Sequence, residues 1–264
     1  MKGAYISMLT CHTSYATMQN TRDFPKPNED YILADEENGI FILLDGITRV
    51  HSEYAEGNGS AAADASRLFA QEVYAHLISA NMTDPDAALR EAVLLANRKL
   101  LDIRSRKSPE AWGFYPGTLG IIAILQNNRL YYACAGDCLG VLLRGSSRIC
   151  FGEQQTVKAV DLYRPSKRER YEKYCNHPEN SLSYAIFNGD AALEEGLESA
   201  WLDLHPGDRI CLASDGAAHI LRYEKPGILR TLDASGLLEA SRRYDTAPFA
   251  QYADDKSMII LDIC

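Results

Sequence analysis

The chain has 264 residues, 46% hydrophobic and 24% charged, which is ample for a real core and argues against a disordered polymer. Its 27 Lys and Arg against 36 Asp and Glu leave a net charge of −9, which excludes the basic footprint of a nucleic-acid binder and disfavours an anionic membrane surface. Seven scattered cysteines (Cys11, Cys134, Cys138, Cys150, Cys175, Cys211 and Cys264) form no C-x-x-C pair, so reduced thiols in a cytoplasmic protein are expected rather than a zinc ribbon or a redox motif. No apolar core of a signal peptide follows Lys2, and no stretch approaches the ~20 apolar residues of a membrane span.

In chain order, Ala4–Leu9 reads as a first strand, and Ile40–Leu44 as a buried strand ending in the Asp45-Gly46 turn. Ala65, Phe69, Val73 and Leu77 recur every fourth residue and predict a helix over about 60–80. Asp84 as N-cap and Pro85 at the first helical position open a second helix, whose apolar face is Leu89, Val93, Ala96, Leu100 and Ile103. From Thr118 the period changes to that of strands. Leu119–Leu125, Leu130–Ala135, Leu139–Arg144 and Arg148–Phe151 are separated by Asn-Asn, Gly-Asp and Gly-Ser-Ser turns, and read as an antiparallel meander. Residues 156–200 are polar and less regular, with a charged, exposed helix expected over Lys167–Lys173. Strands return at Asp208–Ala213 and Ser257–Ile263, with a helix near Leu229–Arg243 between them. Without a repeat or a long Pro/Gly/Ser linker, one α+β domain over 1–264 is the economical reading.

Acidic residues cluster where apolar runs meet turns: Glu29-Asp30, Asp45, Asp137, Asp215 and Asp254-Asp255. Hard carboxylate oxygens at strand ends suit Mg²⁺ or Mn²⁺, and two such ions about 4 Å apart can serve an in-line phosphoryl displacement. Singly, an Asp-Gly pair is more often a plain turn. The order of the set is more specific. Asn28-Glu29-Asp30, Phe41–Gly46, Pro116–Gly120, Ala133–Asp137, Leu204–Gly216 and Asp254–Ser257 resemble, in order, the N-E-D, D-G, G-T, G-D, S-D-G and D-N-x-[ST] elements of the metal-dependent Ser/Thr protein phosphatases of type 2C.

That resemblance, to a divergent bacterial-type member, implies a four-layer α-β-β-α sandwich of two antiparallel sheets flanked by helices. It implies hydrolysis of phosphoserine and phosphothreonine in proteins by a water activated between two Mg²⁺ or Mn²⁺ ions, with a third held weakly. Asp45 would bridge the ions, with a ligand from the Gly46 carbonyl. Asp215 and Asp254 would hold one ion, Glu29 would reach the other through water, Asp30 would support the shell, and Asp137 would meet the third. Residues 156–190 would form a variable flap beside the site. Phosphoprotein substrates and a cognate Ser/Thr kinase system are the implied partners, with no nucleic acid and no membrane.

Two departures stand out. The family's D-G-x-G-G reads Asp45-Gly46-Ile47-Thr48-Arg49, and Pro25 falls where the phosphate-binding Arg is expected, leaving Arg22, Lys26 and Arg49 as candidate bases. Arg49, placed to fork a phosphate, is the base assigned to the catalytic set with Asp45. His219 is a candidate weak ligand. The departures keep two rivals open: an inactive pseudophosphatase serving as a binding or regulatory module, and the same chemistry on a small phosphorylated metabolite or in a partner-switching regulator of sigma factors.

Overall fold

The computed structural model describes residues 9–20, 26–47, 60–106, 116–152, 155–156, 163, 165–246 and 254–264. The strands are β1 (Cys11–Met18), β2 (Tyr31–Asp35), β3 (Ile40–Gly46), β4 (Thr118–Gln126), β5 (Arg129–Ala135), β6 (Leu139–Arg144), β7 (Ser147–Phe151), β8 (Glu198–Asp203), β9 (Arg209–Ala213) and β10 (Lys256–Ile263). The helices are α1 (Ala61–Ser79), α2 (Pro85–Arg106), α3 (Lys167–Lys173), α4 (Leu193–Gly196), α5 (Asp215–Tyr223), α6 (Pro226–Thr231) and α7 (Ala234–Ser241).

Two five-stranded sheets form, one in the order β1-β10-β9-β6-β7 and the other β2-β3-β4-β5-β8, with every printed strand pair antiparallel. Strand alternation divides their side chains between layers. On β3, Phe41 and Leu43 join Ile121, Leu142, Leu212, Ile259 and Leu261 between the sheets, whereas Ile40, Ile42 and Leu44 face the helices. The helix-facing residues of the β3 sheet pack on Phe69, Val73 and Leu77 of α1 and Leu89, Val93 and Leu100 of α2. The other sheet covers its outer face with Ile220 and Leu221 of α5, Leu229 of α6 and Leu237 of α7. Helix layer, sheet, sheet and helix layer is the architecture expected.

Local chemistry sets the helix ends. Ser60 caps α1 by accepting from the Ala63 amide at 3.2 Å, and Asp84 caps α2 through the Ala87 amide at 3.2 Å. The face predicted for α1 is buried; Ile103, expected on the α2 face, has a side chain outside the described residues.

Several expectations change. The expected strand Ala4–Leu9 lies almost wholly outside the described residues, and the first strand seen is β1. The meander does not stay in one sheet: β4 and β5 belong to one, β6 and β7 to the other, and the chain crosses at Gly136-Asp137. The positive φ of Gly136 (86°) makes that crossing possible, and Leu119 lies 2.6 Å from where a side chain would begin. Within the irregular stretch, β8 is an edge strand beside β5. Residues 174–187 also dock firmly, placing Tyr174, Cys175, Tyr184 and Ile186 in the inter-sheet core, while Phe187 exchanges backbone hydrogen bonds with Thr118. Near 229–243 the single helix is two, α6 and α7. The seven cysteines form no disulfide.

Candidate metal centre

The strand registers bring the acidic residues to one end of the sandwich. Tyr31, next to Asp30, pairs with Leu44; Asp45 pairs with Leu119; and Gly120 pairs with Ala135, just before the crossing at Asp137. In the other sheet Ala213, two residues before Asp215, pairs with both Met258 and Leu139. Alternation gives Asp45 the parity of Phe41 and Leu43, so its side chain belongs to the space between the sheets, where water reaches the sandwich end.

Asp45, Asp137 and Asp215 each offer an oxygen, and these atoms all lie within 4.8 Å of one another. Crowded carboxylates resist ionisation. Burial, followed by the charges of Asp215, Asp30, Asp254 and Asp137, pushes Asp45 well above its ordinary 3.8. Asp215 rises for the same reasons, burial first and then Asp137, Asp254 and Asp30. Asp137 is raised by burial, opposed by Thr156, which donates to its Oδ2 at 2.6 Å, and by the charge of Arg170. Burial lifts Asp30 to about 7; the Ser214 and Ser257 hydroxyls oppose the rise, yet neither lies in hydrogen-bond geometry, so both Asp30 oxygens lack a partner among the described residues. Asp215 Oδ1 is likewise buried and unpartnered.

Glu29 and Asp254 have a cation for a partner. Lys26 Nζ sits 3.0 Å from Glu29 Oε2, 2.9 Å from Asp254 Oδ1 and 3.0 Å from Asp255 Oδ2. Burial alone would lower the lysine pKa, but Asp254, Glu29 and Asp255 outweigh it and hold it above the usual range. Ser60 donates to Glu29 Oε1. Asp255 accepts from the Asn20 and Glu29 amides at 2.7 and 2.9 Å.

A hydroxyl relay fixes the backbone under these groups. Ser66 Oγ lies 2.9 Å from Thr118 Oγ1 and 3.0 Å from the Glu29 carbonyl, and Thr118 donates to the Asp45 carbonyl at 2.7 Å. Both Asp-Gly glycines are there for space. A Cβ on Gly46 would lie 2.8 Å from the Glu29 carbonyl oxygen and 3.0 Å from the Ala62 carbonyl carbon, and one on Gly216 would lie 2.2 Å from the Asp255 carbonyl oxygen.

Among the predicted residues, Asp45, Asp137 and Asp215 are gathered, Asp30 is desolvated beside them, and Glu29 and Asp254 engage Lys26. Lys26, one of the candidate phosphate bases, is buried among carboxylates. Arg22 and Arg49 lie outside the described residues. His219 departs from the expectation of a ligand: it lies outside that three-aspartate group, with ring centroids 5.8 Å from Tyr223 and 6.0 Å from Tyr244, and burial lowers its pKa. Ser60, Ser66, Thr156 and the hub role of Asp255 were not anticipated; the Asp at 255 where the family pattern has Asn was the available signal.

The donor set is all oxygen and suits a hard divalent cation. Burial, followed by the charge of Asp45, pushes the nearby Cys138 thiol well above its ordinary range. Unpartnered buried oxygens and mutually raised carboxyls are what a missing positive charge leaves behind, so the residues fit Mg²⁺ or Mn²⁺.

The family model for protein phosphatase 2C matches residues 1–161. The chain belongs to the protein phosphatase 2C family. Human "Protein phosphatase 1F" is 27% identical over 160 residues, covering 59% of this chain and 31% of that protein, so the chain spans about a third of the length of this relative. The Mycobacterium tuberculosis serine/threonine phosphatase PstP/Ppp superposes with a TM-score of 0.67 at 21% identity, covering 96% of this chain and 98% of that one. The catalytic domain of serine threonine protein phosphatase PstP in complex with two manganese ions superposes at 0.70, with 20% identity and coverage of 97% and 99%. At these identities the superpositions show the phosphatase 2C fold.

Proposed function

We propose that the chain is a Mg²⁺- or Mn²⁺-dependent phosphatase acting on phosphoserine and phosphothreonine in proteins, with 1–264 as one catalytic domain and about 156–190 as its flap. The observation that carries this is the meeting of Asp45, Asp137 and Asp215 within 4.8 Å in a chain of this family. Two bound ions would activate a water and neutralise the phosphoryl oxygens. Asp45 and the Gly46 carbonyl would serve the pair of ions, Asp215 and Asp254 would hold one and Glu29 the other, Asp30 would support the shell, and Asp137 would hold a third, weaker ion.

The chain's own groups prepare this chemistry. The Ser66–Thr118 relay fixes the Asp45 carbonyl, and hence the direction of its carboxylate. Desolvation at the sandwich end strengthens the hold of the carboxylates on a cation. Arg49, three residues beyond β3, is the base assigned to orient the phosphoryl group. No helix among the described residues is long and apolar enough to cross a membrane. A cytoplasmic signalling role opposite a Ser/Thr kinase completes the reading.

The test is turnover on phosphothreonine, phosphoserine and phosphotyrosine peptides and p-nitrophenyl phosphate, each with Mn²⁺, Mg²⁺ or EDTA. Metal-dependent turnover favouring the phosphothreonine and phosphoserine peptides is expected. Absence of turnover on every substrate, with no calorimetric Mn²⁺ binding, would instead support the pseudophosphatase.

A further inference from the structure

A polar cleft of about 320 Å³ opens between the segment 176–185 and α4. Asn180, Ser181 and Ser183 line it from the segment and Glu195 and Gly196 from the helix, with Gln155 joining the two. The Gln155 side chain accepts from the Ala185 amide at 2.8 Å and donates to the Gly196 carbonyl at 3.2 Å, so the walls are tied to each other. The cleft is tied to the metal centre as well. The Gln155 amide donates to the Gly136 carbonyl at 2.9 Å, and the neighbouring Thr156 donates to Asp137. Phe187, two residues after Ala185, exchanges backbone hydrogen bonds with Thr118, whose hydroxyl holds the Asp45 carbonyl.

This cleft sits at the lower end of the roughly 300–1,000 Å³ of small-ligand sites, and amides and hydroxyls line it in place of the apolar walls such ligands use. That lining suits an extended peptide. Among the lining residues Glu195 is the one that carries charge, and its exposed carboxylate has no ion pair among the described residues. The neighbouring bases are already engaged: Lys173 meets Glu169 at 2.8 Å, and Arg90 approaches Glu194 at 3.9 Å. We propose that the cleft takes the stretch of substrate protein flanking the phosphorylated residue, and that Glu195 selects a lysine or arginine there. This rests on the phosphatase reading above and adds to it a sequence preference. Glu195 is a specificity-determining residue, meeting the flank of the substrate and not its phosphoryl group.

Gln155 is the chain neighbour of the residue whose hydroxyl meets Asp137, and consecutive Cα atoms are about 3.8 Å apart. A substrate whose phosphate sits among Asp45, Asp137 and Asp215 therefore reaches the cleft within a few residues. Because the walls are fixed beforehand, only the peptide is ordered on binding. An ion pair at so open a position is partly solvated, so it contributes modestly, and to binding rather than to the chemical step.

The experiment compares kcat/KM for phosphothreonine peptides carrying Arg or Glu at each flanking position in turn. The proteins are the wild-type chain, Glu195→Gln, Glu195→Lys and Glu239→Lys, each normalised to its own Mn²⁺-dependent turnover of p-nitrophenyl phosphate. Glu239, on α7 in the opposite helix layer and 67% exposed, controls for a change of net charge alone. At one flanking position the wild type is expected to favour Arg over Glu by about three- to fivefold, carried by KM. Glu195→Gln should lose that preference, Glu195→Lys should invert it, and Glu239→Lys should keep it. The same Arg preference in Glu195→Lys as in the wild type, an equal loss from Glu239→Lys, or no preference at any position overturns the role of the cleft, while turnover of p-nitrophenyl phosphate leaves the metal centre standing. No metal-dependent turnover of any substrate by any of the proteins overturns the phosphatase reading and this inference with it.

Discussion

At the scale of single residues, this centre is governed by carboxyls that resist ionisation. In the metal-free protein Asp30, Asp45, Asp137 and Asp215 all have folded pKa values above the ordinary 3.8, with Asp30 at about 7. The native state therefore binds more protons than the unfolded chain between those values. The stability these groups contribute is complete below their unfolded pKa and is lost as pH rises through the folded ones. His219, with a lowered pKa, works in the opposite sense, one group against four. We expect the urea midpoint in EDTA to fall between about pH 5 and about pH 7.5, and Mn²⁺ to restore it most at the upper end, where the carboxyls are free to ligate. Urea titrations across that range check this, and a metal-free stability that climbs with pH would contradict it. The identity of the carboxylates was legible in the sequence because each stands next to a glycine or a strand. Lys26 was not, since a lysine between two prolines reads as surface until Glu29 and, from the far end of the sequence, Asp254 and Asp255 are seen to surround it.

At the scale of elements, the two Asp-Gly turns solve one problem twice: strand β3 must end against Glu29 and α1, and α5 must begin against the segment 254–255. Gly216→Ala would put a methyl group 2.2 Å from the Asp255 carbonyl oxygen, in fixed backbone. A loss of about 1–3 kcal/mol is expected from such overpacking, together with weaker Mn²⁺ binding as Asp254 shifts. Gly227→Ala in α6, where an added Cβ meets nothing within 4 Å, should instead gain about 0.5–1 kcal/mol. Paired urea melts decide it; equal effects from the two substitutions would remove the close approach as the reason for Gly216. The helices α1 and α2 could be read from their periodicity and caps because both faces and ends are encoded locally. Strands β1, β2 and β8 could not. They lie at sheet edges and are half-exposed, with β1 reading as the mixed, polar run Cys-His-Thr-Ser-Tyr-Ala-Thr-Met, and only their partners make them strands.

At the scale of the whole molecule, the sandwich delivers five separate acidic segments to one end. The two sheets meet face to face over Phe41, Leu43, Ile121, Leu212 and Ile259, and the crossing at Gly136-Asp137 ties the end of one sheet to the beginning of a strand in the other. A packed inter-sheet core gives the centre its rigidity, since no carboxylate there can move far without displacing a buried strand. The motif order conveyed this assembly before any coordinate, but not that β4–β5 and β6–β7 part company, because a Gly-Asp turn within a sheet and a Gly-Asp crossing between sheets look alike in sequence. The central claim, that this end of the sandwich is a metal-dependent phosphatase centre, is tested most directly by one comparison. Phosphothreonine-peptide turnover would be measured for the wild-type chain and for Asp45→Asn at saturating Mn²⁺, with folding of both checked by circular dichroism. We expect a folded variant whose turnover falls by a factor on the order of 10²–10³ or more. A folded Asp45→Asn that hydrolyses the peptide at the wild-type rate would contradict the account.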